Sequence, residues 1–381
     1  MEEKYNMISR LPTNVISFAA GNTTLVNLFE SFKDYWNQYR SENGTKKFSY
    51  SATDTEGKPI SFGEKEDLLN AQLKREIGKL ANVDFTAMPL ESVFTNPMVG
   101  WAAFAIVSQL IDAVLPDTII DSIGAYTDVR TAGYGDSFQF MVKPRDLFVV
   151  SKAGRLGMRE AEVKKQFKGE VTVVPEMREI SVGVSLYRVL SGRESLADFT
   201  AKAIRSIETE MNKEAYTVFA AAMAALSNSP ANTALRIAGY TQDALVQLGQ
   251  RVSAFSGGAA PVVIATQVAL SKILPDDANY RYTLESEFVK IGYMRHAFGM
   301  DFLALPQVAD WNSPFATLLD DAKLWIVAPG TDKIVKLCLE GSTVSNVGGV
   351  FSTATLQQNA TFWKSWKAAV ATSSVGAVIT M

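Results

Sequence analysis

Hydrophobic positions along this chain change period several times. In the first hundred residues they recur at three- and four-residue steps, the signature of helices. Leu25, Leu28, Phe32, Tyr35 and Tyr39 form one such stripe behind Thr23 and Thr24, which can cap it. A second helix starts at Ser61, with Glu64 three residues on in the capping-box position. Its first turn holds Glu64, Glu66 and Asp67 and its end Lys74, Arg75 and Lys79, the polarity that suits the helix dipole. The polar stretch 41–59 between them reads as an exposed linker. Residues 92–111 carry no charge and approach membrane-spanning length. Asn96 and Pro97 break that window early, Gln109 and Asp112 close it, and no basic cluster flanks it. A helix over about residues 98–115, buried between domains or subunits, is the expectation, with no membrane span.

Between residues 126 and 190 the period falls to two. Phe138, Phe140 and Val142 alternate with polar or exposed partners, as do Ile180, Val182, Val184 and Leu186, with shorter runs at 147–150 and 171–174. These predict two long half-buried strands forming a ribbon. The stretch 143–169 between them has eight Lys or Arg against three Asp or Glu, a surplus of five positive charges (8 − 3). An isolated two-stranded ribbon is marginal in water. It is covered either by a neighbouring subunit or by its own domain, and the sequence leaves both open.

The period then returns to helical. Ser195 caps a stripe of Leu196, Phe199, Ala203, Ile207, Met211, Ala215, Val218, Ala222 and Leu226, with Asp198 at the capping-box position. No Gly or Pro interrupts residues 195–226, so a single rod of roughly 45 Å is expected. Leu196, Phe199, Ile207, Met211 and Val218 are its expected packing residues. Beyond residue 231 the pattern is mixed: a helix near 241–254, strands at 262–265, 302–305 and 324–327, a helical turn at 266–274, and apolar runs at 334–339 and 374–381.

Composition narrows the chemistry. Across 381 residues, 37 Lys and Arg balance 40 Asp and Glu, so the net charge is 37 − 40 = −3. That argues against a dedicated nucleic-acid binder, but not against a protein that encloses nucleic acid. A single Cys, Cys338, excludes a disulfide within the chain, and a single His, His296, excludes a His-based metal site on one chain. Neither a phosphate-binding loop, a dinucleotide loop nor a nucleophile elbow is present. His296 sits among aromatic residues and reads as a packed or interface residue. The adjacent pairs Asp276/Asp277 and Asp320/Asp321 read as loop surface. The first ten residues lack the apolar core of a signal peptide. We expect no catalytic residue, no cofactor and no metal.

The order of these elements carries more than any motif. A helical arm, a long basic ribbon, a long spine helix, a compact α/β unit and a returning strand follow one another. From about residue 116 onward the chain resembles the major capsid proteins of tailed bacteriophages with the Hong Kong 97 (HK97-like) fold. The stretch PVVIATQVALSKILP (261–275) resembles the strand-then-helix of that family's axial domain, and GYMRHAFGMDFLALPQV (292–308) its glycine-flanked strand. The resemblance implies an α+β fold with a helical arm over 1–115 and an extended loop with the start of a peripheral domain over 116–194. It further implies a spine helix over 195–230, an axial domain over 231–340 and return strands to the peripheral domain over 341–381. It also implies self-assembly into hexamers and pentamers that form an icosahedral head around double-stranded DNA in the virion, built in the host cytoplasm. Portal, scaffold and decoration proteins are the further partners it suggests.

On that resemblance, the ribbon-tip residues Lys152, Arg155, Arg159, Lys164, Lys165 and Lys168 would meet a neighbouring subunit. Some members join a ribbon Lys to a neighbour's Asn. Lys152, Lys164, Lys165 or Lys168 with Asn346 or Asn359 could do so here, although no motif marks the pair. In some relatives an amino-terminal segment acts as a scaffold and is removed; the retained Met1 argues against that here. The arm itself reads either as a small helical subdomain or as a limb that packs on a neighbouring chain. The competing functions are an encapsulin-type nanocompartment shell, which usually has a shorter chain, a carboxylate-dependent soluble hydrolase, and another virion component such as a tail protein.

Overall fold

A computed structural model describes residues 11–42, 60–85, 93, 96–124, 126–133, 135–142, 169–228, 234–273, 291–310, 315–328, 333–347, 358–371 and 375–381. Helices α1 (Thr13–Ala19), α2 (Thr23–Glu42), α3 (Phe62–Ala81) and α4 (Pro97–Ile123) come first. Strands β1 (Thr127–Ala132), β2 (Phe138–Val142), β3 (Gly169–Val173) and β4 (Glu176–Val184) follow, then the short α5 (Leu186–Leu190) and the spine α6 (Leu196–Asn228). Next are β5 (Arg236–Ala238), α7 (Gln242–Phe255), β6 (Val262–Thr266), α8 (Gln267–Ser271), β7 (His296–Ala297) and β8 (Met300–Leu305). The chain closes with β9 (Ala309–Asp310), β10 (Ala316–Thr317), β11 (Lys323–Val327), β12 (Val335–Glu340), β13 (Val344–Val347), β14 (Gln358–Val370) and β15 (Gly376–Thr380).

The helix starts follow their capping chemistry. At α3 the Glu64 N–H donates to Ser61 Oγ at 3.3 Å, and the Ser61 N–H donates to the Glu64 carboxylate at 3.2 Å. These two bonds satisfy two of the amide groups that a helix start leaves unpaired. At the spine, Asp198 N–H donates to Ser195 Oγ at 3.1 Å, but the Asp198 carboxylate does not reach back. It holds Lys202 at 2.6 Å instead. Asn70 of α3 completes the cap, donating to Ser195 Oγ at 2.9 Å and accepting from Ala197 N–H at 3.2 Å. The 33-residue spine is about 50 Å long at 1.5 Å per residue.

Helix α4 is apolar enough and long enough to cross a membrane, yet 89% of its most apolar window is buried inside this chain. It is the central rod of the main core. It runs eight residues beyond the expected end at 115, through Pro116. Burial of Leu115, Thr118, Ile119 and Ile123 on its inner face offsets the hydrogen bond that the proline removes, while Asp117, Ile120 and Asp121 on the outer face stay exposed. Trp36 Nε1 donates to Thr118 Oγ1 at 2.8 Å, and Lys33 and Arg40 pair with Asp117 at 2.6 Å and Asp121 at 3.1 Å, tying α2 along α4. The described helices of the arm therefore pack on their own chain, sharing one apolar core with the spine and the first sheet.

Two sheets flank the spine. In the first, β1 runs parallel to β12, which pairs with β14, which pairs with β4 over nine residue pairs on its other edge. Strands β12 and β13 lie end to end along one edge of β14. Leu339 opposes Trp366 and Val344 opposes Trp363, so four residues (340–343) face two (364 and 365). In the second sheet, of order β5-β15-β11-β6-β8-β7, side-chain parity divides the layers. Trp325 and Val327 face the main core, where Phe219 of the spine meets Trp325 edge-on at 5.5 Å. Leu324 and Ile326 face a second core with Leu245, Leu248 and Val252 of α7. Gly249 lets α7 approach closely, since a Cβ there would sit 2.5 Å from Met300 Sδ.

The structure differs from the expected boundaries at two strands. β12, expected in the 231–340 unit, pairs in the first sheet, and β15, expected to return to the peripheral domain, pairs with β11 in the second. Both are buried along nearly their whole length. A continuous apolar run has no facial alternation to say which sheet receives it. The ribbon also differs. β2 pairs with β3, whereas β4, expected as the second long ribbon strand, is docked on its own chain's β14. The run 147–150 lies outside the described residues.

Candidate assembly surfaces

The break between β12 and β13 leaves backbone groups that no strand can satisfy. Buried ionic chemistry takes them up. Asp112 of α4 accepts from Thr343 N–H at 2.8 Å and Thr343 Oγ1 at 2.6 Å, from Asn14 Nδ2 at 2.9 Å and from Lys364 Nζ at 2.6 Å. Lys364 also donates to the Gly341 carbonyl at 2.7 Å. Its side chain is 7% exposed and that of Asp112 2%. Four segments thus meet at one carboxylate: α1, α4, the strand break and β14. Such a pair is costly to desolvate and tolerable only when its remaining lone pairs and protons are bonded, as they are here.

A second carboxylate fastens β14 to the spine. Glu214 of α6 accepts from Trp366 Nε1 at 3.0 Å, Ala368 N–H at 3.1 Å and Arg178 at 3.3 Å. A third, Glu208, accepts from Ser122 Oγ of α4. Burial raises its pKa, and the Ser122 hydrogen bond and the nearby Arg40 and Arg205 only partly oppose that.

Of the expected spine residues, Leu196, Ile207 and Met211 are buried, while Phe199 and Val218 are half-buried against the same core. Tyr216, Phe219 and Met223 carry the packing at the far end. The expected stripe passed through Val218 and Ala222, which are half-buried, each one residue before the fully buried Phe219 and Met223; the Leu226 side chain lies outside the described residues. The six ribbon-tip residues, Lys152, Arg155, Arg159, Lys164, Lys165 and Lys168, lie outside the described residues. At the ribbon base, Phe140 and Val173 pack on Cys338 and Ala371 of the first sheet, with the Arg130 guanidinium 4.8 Å over the Phe140 ring. Asn346 and Asn359, the suggested crosslink acceptors, are exposed.

The candidate nucleophile stands apart from the candidate acids that lie among the described residues. Burial pushes the Cys338 thiol up to about 12, which keeps it in the poorly nucleophilic thiol form. His296 is exposed rather than packed, held by Asp301 at 2.7 Å between Nδ1 and Oδ1 on the β7–β8 hairpin. Asp320 accepts from Ala322 N–H and pairs with Lys323, while Asp321 accepts from Gln307. The two carboxylates share neither partner. Asp276 and Asp277 lie outside the described residues. Among the described residues there is no group of three or more His, Cys, Asp or Glu that could hold a metal. What the surface does offer is exposed apolar side chains, Met141, Val174, Met177 and Phe315 among them. It also offers an open groove of about 510 Å³ between β4, β14 and the spine, lined by Met177, Ile180, Ile207, Phe362 and Trp366 with polar residues at its rim.

The family model described as "SPbeta prophage-derived putative capsid protein YonB" matches residues 32–348, well over half of the chain. The chain belongs to this family of phage capsid proteins. Its described architecture is α+β, with two sheets flanking one long helix. No curated protein matches the YonB-family chain at the sequence level. Among solved structures it is similar to the mature capsid of bacteriophage PhiM1, at 9% identity and a TM-score of 0.43, covering 67% of this chain and 85% of that one. It is similar to the acid-stable capsid of Helicobacter pylori bacteriophage KHP30, at 11% identity and TM-score 0.44, covering 68% and 91%. It is also similar to a virus-like particle from Pyrococcus furiosus, at 10% identity and TM-score 0.38, covering 70% and 97%.

Proposed function

We propose that this capsid protein is the major shell subunit of a phage head. Copies assemble as hexamers and pentamers into an icosahedral shell around double-stranded DNA, inside the host cytoplasm and then as part of the virion. The role is structural rather than enzymatic. Family membership over residues 32–348 is the observation that carries this reading. The physical build supports it. A wall subunit must hold its own shape while several neighbours pull on it. Here α1, α4, the strand break and β14 are locked at Asp112, and the spine bridges both sheets.

The basic ribbon tip, with Lys152, Arg155, Arg159, Lys164, Lys165 and Lys168, reaches an acidic face of an adjacent copy. Limbs of this kind enlarge each contact toward the roughly 1,200–2,000 Å² that a specific interface buries. Near-neutral overall charge suits a container, because nucleic-acid affinity grows with the number of phosphates neutralised. Portal, scaffold and decoration proteins are the further partners of this reading.

Negative-stain imaging of the purified chain tests it. Uniform icosahedral particles are the expected result, and discrete small oligomers under all conditions overturn it. Particles from the native source that carry an enzyme cargo in place of DNA make the chain a nanocompartment shell instead.

A further inference from the structure

Among the described residues two phenylalanines adopt left-handed backbone, Phe298 at φ 54° and Phe315 at φ 59°. Bulky residues avoid this region because the side chain crowds the backbone. At Phe298 the strain has a use within the chain. It forms a two-residue hairpin turn with Gly299, and its ring packs against the second core. At Phe315 nothing among the described residues uses it. The residue stands immediately before β10 on the β9–β10 hairpin, with a relative exposure of 105%. A glycine or asparagine would hold that backbone more easily. An aromatic ring held in strained backbone and wholly in solvent is a binding element without its partner.

The complementary feature is on the same chain. The groove between β4, β14 and the spine is open and of about 510 Å³. Its apolar lining comes from Met177, Ile180, Ile207, Phe362 and Trp366. Both cavities mix apolar and charged lining: Arg178, Glu179, Glu210 and Lys364 also line the groove, and the other cavity, of about 370 Å³, sets Leu73, Ile77 and Leu196 beside Glu66, Lys74 and Arg193, but only the groove has aromatic side chains, Phe362 and Trp366, to meet a ring. Full exposure shows that Phe315 does not fill its own groove. We infer that Phe315 at the β9–β10 hairpin inserts into the β4–β14–spine groove of a second copy. This inference rests on the shell reading above. A knob and a hole at different places on one chain make a head-to-tail contact, which propagates from copy to copy and closes into rings. A buried aromatic anchor is the residue type that dominates such contacts.

Three variants and a crosslink test the inference. Phe315→Asp is expected to lower particle yield by about tenfold or more, the loss of one anchoring contact. The melting temperature of the unassembled subunit should not fall, because the side chain is fully exposed and aspartate holds left-handed backbone more easily than phenylalanine. Phe315→Gly is expected to raise that melting temperature by relieving the strain, and to lose assembly equally. Phe315→Trp is expected to assemble. With a benzophenone amino acid at position 315 of assembled particles, crosslinked peptides should contain β4, β14 or residues 206–210 of another copy. Wild-type yield from Phe315→Asp, or crosslinks confined to other segments, overturns the inference and leaves the shell reading intact. A wild-type chain that never forms particles overturns the shell reading, and this inference with it.

Discussion

Removing one partner of the Asp112–Lys364 pair is the sharpest test of how this subunit holds its shape. In Lys364→Met the apolar stem of the side chain is kept and the ammonium is lost. Asp112, 2% exposed, is then left with three neutral donors where it had four donors, one of them a cation. The Gly341 carbonyl also loses its partner. Because both side chains are buried, water cannot screen the loss. Breaking a pair of this kind costs about 3–5 kcal/mol, a large share of the roughly 5–15 kcal/mol that holds a folded protein together. At about 2.1 cal/mol/K of unfolding entropy per residue, a chain of 381 residues shifts by roughly 1.2 °C per kcal/mol, so the melting temperature should fall by about 4–6 °C. Asp112→Leu should cost as much, since it strands Lys364 and the Thr343 amide. The double variant Asp112→Leu/Lys364→Met should recover part of the loss, because two apolar residues owe each other no charge.

Thermal unfolding of the unassembled subunit, followed by near-ultraviolet circular dichroism at neutral pH, reads all three variants. A melting temperature within about 1 °C of wild type for either single variant would refute the reasoning. So would a double variant that simply adds the two losses, since residues in one network should couple.

Three further outcomes follow from other groups. Glu208→Gln keeps an acceptor for Ser122 and removes a buried charge. Burial holds the folded carboxyl above its unfolded pKa, so the charged form costs stability at neutral pH, and that cost disappears once pH falls below the unfolded carboxylate range. The variant should therefore melt higher than wild type at pH 7 and equally at pH 4; a lower melting point at pH 7 would contradict the sign. Ser61→Ala removes one half of an observed capping box and should cost about 1 kcal/mol, measured by denaturant unfolding. Reversing both Arg155 and Arg159 to Glu should impair particle formation without altering the subunit's melting temperature; normal assembly would remove the ribbon tip from the set of inter-subunit contacts.

Much of the secondary structure was legible because local chemistry and packing agree in it. The Ser61/Glu64 box, the Ser195 cap and the uninterrupted helical stripe behind it all say locally what the fold requires globally. The longest strand was not legible. In β14 the buried positions are Ala360, Phe362, Lys364, Ser365, Trp366 and Ala368, an alternation that only Ser365 breaks in the fold and that a lysine interrupts in the sequence. Lys364 can face inward only because Asp112 waits 252 residues away in the chain, and no window of sequence contains both. Missing β14 also misdirected β4, whose apolar face was assigned to the ribbon for want of the partner it has.

The same argument limits what any reading of one chain can say about assembly. Periodicity records which residues are covered by their own chain, and the fold accounts for those. A shell subunit must keep other apolar groups uncovered until a second copy arrives, and such groups break the pattern. Val174, Met177 and Phe315 are of this kind. Val174 and Met177 bracket the entry to β4, where the ribbon leaves the first sheet, and Met177 also lines the groove. Phe315 lies on the separate β9–β10 hairpin. An anchor and a receiving groove at different sites, on elements braced by the spine, allow one copy's placement to set the next. Loosening the Asp112 node should therefore weaken assembly beyond the stability it removes, because Lys364 lines that groove. Particle yield for Lys364→Met, measured well below its melting temperature, should fall while most subunits remain folded; full yield under those conditions would separate the groove from assembly.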